Sequence, residues 1–281
     1  MMKNKGNVLK GIKDEKLQGL IGELLDNMVF VEGGYFVMGN TNVIEKSLAD
    51  FDYDEDKEYL VVRREPDEHK VRVKLSSFYI CKYVVTQDLW KEVMGWNHSY
   101  FYVYGDKRPV ECVSWYQCQK FIAKLNELTG LSFRLPTECE WEFAATSRGE
   151  KFQFAGSDNV DDVAHYYNFW DLENPTGGTC SVGRKQPNTL GLYDMSGNVW
   201  EWCQDWYQEM IGGSTGADAL DDAIANPRGP ETGEYKVIRG GSWKEWVNSS
   251  RVSFRNACPP DASEDDGLGL RLVMDVEKED K

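Results

Sequence analysis

Arg239-Gly240-Gly241-Ser242-Trp243 and Gly269-Leu270-Arg271-Leu272-Val273 bracket the stretch whose reading decides the fold. Between them, from Lys244 to Gly267, neither the helical nor the strand period can be followed. That stretch is nonetheless rich in Trp, Phe, Asn, Ser and charged side chains, all able to touch a ligand. Regular frames around a long aperiodic segment are the pattern of a binding loop carried on a rigid scaffold. A companion block lies upstream: Gly191-Leu192-Tyr193-Asp194-Met195-Ser196-Gly197-Asn198-Val199-Trp200-Glu201-Trp202.

Outward from these blocks the chain divides into a helical first half and a turn-rich second half. Leu9, Ile12, Leu17, Leu20, Ile21, Leu24 and Leu25 recur at helical spacing, which predicts one amphipathic helix over 9–28 that caps the domain. Met28 to Met38 reads as strand–turn–strand about Gly33-Gly34, and Val71 to Val85 as paired strands. Thr86 is placed to cap a helix that runs to Met94 and stops at Gly95. Ser114 similarly starts a helix with Trp115, Cys118, Ile122, Leu125 and Leu128 on one face and Gly130 beyond its end. Thr137 and Glu140 have capping-box spacing. After Gly149, short aromatic strands are expected at 165–170, 199–207, 235–243 and 268–276. The sum is a single α+β domain over 29–281 behind an N-terminal extension over 1–28.

Composition bounds the function. With 32 basic against 47 acidic residues the formal charge is −15, which repels phosphate backbones and argues against a nucleic-acid partner. No apolar run reaches the length of about 18 residues that spans a bilayer. Met1-Met2-Lys3-Asn4-Lys5-Gly6 is basic without an apolar stretch behind it. The chain is therefore expected at the cell surface or outside only if a leader is supplied, and in the cytoplasm otherwise. Seven dispersed cysteines without a C-x-x-C pair read as reduced thiols, not as a disulfide or zinc framework. Asp52, Asp54 and Asp56 mimic the start of a calcium loop, but Lys57 stands where that loop needs glycine, so 50–58 reads as a solvated insertion. His69, among Glu65, Asp67 and Glu68, reads as a solvated surface residue, and carboxylate pairs in so acidic a chain read as surface.

The two C-terminal blocks form an ordered set of landmarks with four others. These are Val31-Glu32-Gly33-Gly34-Tyr35-Phe36-Val37-Met38-Gly39, Phe78-Tyr79-Ile80-Cys81-Lys82-Tyr83-Val84-Val85-Thr86, Pro109-Val110 with Val113-Ser114-Trp115, and Arg134-Leu135-Pro136-Thr137-Glu138-Cys139-Glu140-Trp141-Glu142. The set, from about Phe30 to Val273, resembles the formylglycine-generating (sulfatase-modifying factor) family. That resemblance implies a variant of the C-type lectin fold, with few helices, much irregular loop and short antiparallel strands. Catalytic members hold copper on two cysteines, soft ligands suited to copper(I). Counted from Arg255 and Pro260-Asp261, those positions fall at Val247 and Val252, and valine neither ligates a metal nor gives an electron. Cys258 is alone and falls where the family has no active thiol. A related branch uses histidine-bound iron, and this chain has three histidines, His69, His98 and His165, with no pair at ligand spacing. No enzyme activity and no copper are expected.

The same resemblance implies a structural calcium ion held by the carboxylates of Asp194 and Glu201 and the carbonyls of Gly197 and Val199. The alternative is that Glu201 pairs with a core arginine, Arg239 or Arg271, while Asp194 caps the turn. A second family calcium site would involve Asn168-Phe169, but Gly177-Gly178-Thr179 stands where its later acidic element belongs. The segment 244–267 is similar to the variable region of diversity-generating retroelement proteins of the treponemal type. Asn, Ser, Phe, Ala, Cys, Asp and Val are reachable there from mutated adenine codons, whereas Lys244, Glu245, Trp246 and Glu264 are not. Its expected contact set is Lys244, Glu245, Trp246, Asn248, Ser249, Ser250, Phe254, Asn256, Ala257, Cys258, Asp261 and Asp265, with Trp246 and Phe254 as anchors. The expected partner is a protein or other macromolecular ligand met by a monomer. A divergent oxidase of protein cysteine and a structural scaffold subunit are the rival readings.

Overall fold

The computed structural model describes residues 5–39, 65–105, 107–167, 177–209, 211 and 219–276. The acidic stretch 50–58 and the pair Asn168-Phe169 lie outside the described residues.

The chain opens with two helices where one was expected. α1 (Lys5–Lys10) and α2 (Glu15–Asp26) are separated at Gly11, and Asp14 caps α2 by accepting from the Leu17 amide at 2.8 Å. The apolar spacing runs across this break because both helices pack on the same core: Ile12, Ile21, Leu24 and Leu25 are buried, with Val8 and Leu9 against them. The core is therefore continuous across the expected boundary at residue 28.

β1 (Met28–Val31) and β2 (Gly34–Met38) do not form a hairpin, nor do β3 (Val71–Leu75) and β4 (Phe78–Cys81). β1 pairs with β4 and β2 with β3, so each short turn carries the chain from one sheet to another. Sheet one runs β1-β4-β13-β5, with β5 at Phe133–Arg134 and β13 at Val273–Asp275, which seats the last strand between β4 and β5. Sheet two runs β11-β10-β8-β12, from β8 (Trp200–Trp206), β10 (Lys236–Arg239), β11 (Asn256–Cys258) and β12 (Leu268–Gly269). β9 (Ala219–Ala225) flanks β3, and β6 (Ala164–His165) pairs with β7 (Ser196–Gly197). The strands are short as expected, but not all antiparallel: β12–β8, β3–β9 and β6–β7 are parallel. Of the strand expected at 165–170, His165 lies in β6 and 168–170 lie outside the described residues, while the one expected at 268–276 is broken between β12 and β13.

The middle helices follow their local signals. α3 (Gln87–Met94) ends at Gly95 in the left-handed region, although the Thr86 hydroxyl bonds Asp88 and caps no amide, the first amides donating to the Arg108 carbonyl and to Asp88. α4 (Trp115–Thr129) has a full capping box between Ser114 and Gln117, and α5 (Glu138–Ala145) one between Thr137 and Glu140. α6 (Val160–Val163) is a single turn. Leu128, expected on the buried face of α4, is exposed, because the helix packs through Cys118, Phe121, Ile122 and Leu125.

Candidate functional site

Four arginines build the frame under the C-terminal segment. Arg271 and Glu201 are both fully buried, and Glu201 takes hydrogen bonds from Arg271 Nε and Nη2 (2.7–3.1 Å) and from Trp141 Nε1 at 2.7 Å. Arg251 pairs with Glu68, and Arg239 with Glu142, all of them buried. Arg255 makes a fork on Glu138 at 2.7 and 2.9 Å. Glu68 is thus no solvated neighbour of His69. Burial alone would raise its carboxyl, but the Arg251 guanidinium holds it below the ordinary range. Taking a charge out of water is costly unless a partner with good geometry meets it, so these pairs fix which side chains face inward.

The Gly-Asn turn joins the frame to the segment. Asn198 sits at φ +68 and its side chain grips the Cys180 backbone, accepting at 2.9 Å and donating at 3.2 Å. Its carbonyl then accepts the Trp243 amide at 3.0 Å. Gly240 and Gly241 follow β10 at φ +98 and +76, and a Cβ on Gly241 would meet the Ser249 carbonyl at 2.8 Å. Only glycine lets the chain turn that tightly beneath its own loop.

The segment itself is an irregular strap with a short 3₁₀ turn at Val247–Ser250. Lys244 bridges Asp265 and Asp266 at 2.7 Å each, and the Trp243 indole donates to the Asp266 carbonyl at 3.1 Å. Asn248 donates to Glu65 at 2.8 Å and accepts from Arg251 Nε at 2.8 Å. Val247 is buried among Phe154, Val163, Ala164 and Tyr166, and Val252 in the core with Trp141 and Cys203. Two members of the expected contact set face inward. Ser250 is fully buried, and Phe254 packs half-buried against the core and the Trp200 ring, centroids 6.0 Å apart. Trp246, Asn256 and Asp261 are exposed, with Glu245, Ser249, Ala257, Cys258 and Asp265 half-buried around them.

All seven cysteines are free, and five are buried. Burial and nearby carboxylates push Cys258 up to about 11 and Cys112 up to about 12. Such thiols hold only a trace of the reactive thiolate at neutral pH.

The four residues read as a calcium set do not fit that ion as they stand. Glu201 has both oxygens bound to Arg271 and Trp141, and Asp194 accepts the Gly183 amide at 2.8 Å. A cation there would have to displace Arg271 from its buried partner. Among the described residues no group of three or more His, Cys, Asp or Glu side chains is arranged to hold a metal. Nor is any helix of the described residues long and apolar enough to cross a membrane.

One exposed element escaped the sequence reading. Tyr100-Phe101-Tyr102-Val103-Tyr104 puts four large side chains outward, from 51% to 69% exposed, while Phe101 tucks against Trp243 with centroids 5.3 Å apart. Five consecutive aromatic and aliphatic residues before Gly105 were the available signal.

A few helices and short sheets that display an irregular C-terminal strap on buried arginine pairs define a C-type-lectin-like scaffold. Residues 18–276 match the sulfatase-modifying factor enzyme 1-like domain, and the chain belongs to that family. The match begins inside α2, so the helix expected to lie outside the family's extent is largely part of it. The solved Treponema denticola variable protein 1 is similar over 89% of this chain and 95% of its own, with a TM-score of 0.70 and 26% identity. A chaperone protein LppX of Paenibacillus barcinonensis is 30% identical over 300 residues, covering 88% of this chain and 89% of that protein. The formylglycine-generating enzyme of Thermomonospora curvata is 36% identical over 168 residues, but the match spans 55% of this chain and 52% of the enzyme.

Proposed function

We propose that this protein is a non-catalytic ligand-binding member of the family, holding a protein or other macromolecular ligand on the outward face of 244–267. The observation that carries this reading is the pair Val247 and Val252, apolar and buried at the positions assigned to the metal-holding thiols. Their neighbours in the same strap, Trp246, Asn256 and Asp261, are exposed. Likeness to a variable protein along nearly its whole length supports the same reading. Trp246 supplies rigid contact area at little entropic cost, and Asn256 and Asp261 supply hydrogen bonds at the rim. Diversification by a retroelement is part of the proposal, tested by looking for a reverse-transcriptase gene beside an adenine-variant copy of the segment's coding sequence.

Peptides selected from a random displayed library on the full chain serve as the probe. Replacing Trp246, Asn256 and Asp261 together by Ala should weaken the selected peptides by roughly tenfold or more, with the melting temperature unchanged. Wild-type affinity in that variant would place the ligand surface elsewhere.

A further inference from the structure

Arg108 stands apart from the paired arginines of the frame. Its Nε and Nη1 are buried without a hydrogen-bond partner, and its guanidinium lies over the Tyr104 ring at 5.1 Å and the Phe101 ring at 6.0 Å. Arg134, Arg239, Arg251, Arg255 and Arg271 all reach carboxylates, in a chain with 47 acidic residues against 32 basic ones. Two aromatic faces offset part of the cost of a dry cation, yet they leave its planar donors unused. The fork of a guanidinium matches a carboxylate bidentately, and more strongly in a site that excludes water.

The loop that carries Tyr104 is anchored at its start. The buried carboxylate of Glu111 accepts the amides of Tyr100 at 2.9 Å and Phe101 at 3.0 Å, and Ser99 is buried beside it. The same base touches the strap: the Cys112 amide donates to the Asp265 carbonyl at 3.0 Å, and Phe101 meets the Trp243 ring edge-on. Tyr100, Tyr102, Val103 and Tyr104 therefore stand exposed on a base that is fastened to the strap at Trp243 and Asp265. Exposed clusters of this kind on a rigid base mark a contact surface.

We propose that Arg108 and the 100–104 loop form a second recognition edge, which takes an acidic side chain of a peptide ligand flanked by apolar residues. This rests on the ligand-binding reading of 244–267 and gives it a partner chemistry. The carboxylate meets the guanidinium fork as the half-exposed Tyr104 ring turns aside, and Tyr102 and Val103 cover the flanking apolar residues.

The test uses the library-selected peptides, each resynthesised with its Asp or Glu and with the matching amide. Selected peptides should carry a carboxylate, and Arg108→Gln should weaken that form by roughly tenfold, to the level of the amide form. The amide form should bind the variant as it binds the wild type. Arg108→Lys, which keeps the charge without the fork, should fail to restore full affinity, and melting curves report that each variant folds. Tyr102→Ala with Tyr104→Ala should weaken both forms. Selected peptides without a carboxylate, or unchanged binding in Arg108→Gln, would overturn the proposal. So would capture of zwitterionic vesicles that depends on Tyr102 and Tyr104, since the loop would then be a membrane contact. If the Trp246, Asn256, Asp261 variant loses binding and Arg108→Gln does not, this inference fails while the ligand surface stands. The reverse result leaves Arg108 in place and removes 244–267.

Discussion

Glu201 and Arg271 bear on each other with no water between them, and each is fully buried. Glu201→Ala leaves the Arg271 guanidinium in the core with backbone carbonyls but no counter-charge, and should cost about 3–5 kcal/mol in urea unfolding. A loss under about 1 kcal/mol would mean that the arginine finds water or another partner, against the frame described above. The acidic side chains were the least legible in the sequence. Glu68, Glu111, Glu138 and Glu142 look like surface residues in a chain this acidic, yet all are buried, whereas Glu201 pairs with Arg271 as one of its two sequence readings had it. Their partners explain why: Arg251 lies 183 positions from Glu68 and Arg255 lies 117 from Glu138, distances over which no local pattern reports a pairing. Phe254 shows why an aperiodic stretch is hard to read: an aromatic ring there serves packing and contact equally well.

At the scale of elements, the caps at Ser114 and Thr137 carried over from sequence to structure, while the Thr86 cap and the strand pairing did not. The Thr137–Glu140 box is present in both directions, and Ser114 caps α4 as its position implied. Ser114→Ala should destabilise the protein by about 1 kcal/mol, read from the denaturation midpoint. An unchanged midpoint would show that α4 is held by tertiary packing alone. Turn glycines, in contrast, did not reveal that β1 and β2 belong to different sheets, because Gly33-Gly34 permits a crossover as readily as a hairpin. The break between α1 and α2 had a readable signal in Asp14 that the continuous apolar spacing overrode. The strap 244–267 was legible as irregular, but its fastening to Glu65, Asp265 and Asn198 needed coordinates.

The molecule as a whole should be most stable below neutral pH. Burial pushes Asp194 and Asp205 up to about 6 from 3.8, so the folded chain binds those protons more readily than the unfolded one. Stability from these groups rises as pH falls from about 7 through 6 and levels off below the ordinary carboxylate range. Glu68 and Glu138 act oppositely: burial would raise them, but Arg251 and Arg255 hold them below 4.5, and their contribution is lost as pH falls through those lowered values. Melting temperature should therefore be higher at pH 5.5 than at pH 7.5 and fall in stronger acid. A protein equally or more stable at pH 7.5 would show that water reaches Asp194 and Asp205.

The central claim is that a scaffold shared with oxidases here carries a ligand surface and no redox centre. Oxygen uptake by the purified full chain, supplied with copper(I) and a cysteine-containing peptide, tests it most directly. No sustained uptake above the copper-and-peptide blank is expected, with the peptide thiol recovered unchanged. Continuous turnover that converts the thiol would contradict the account, and would mean that thiols outside positions 247 and 252 do the chemistry.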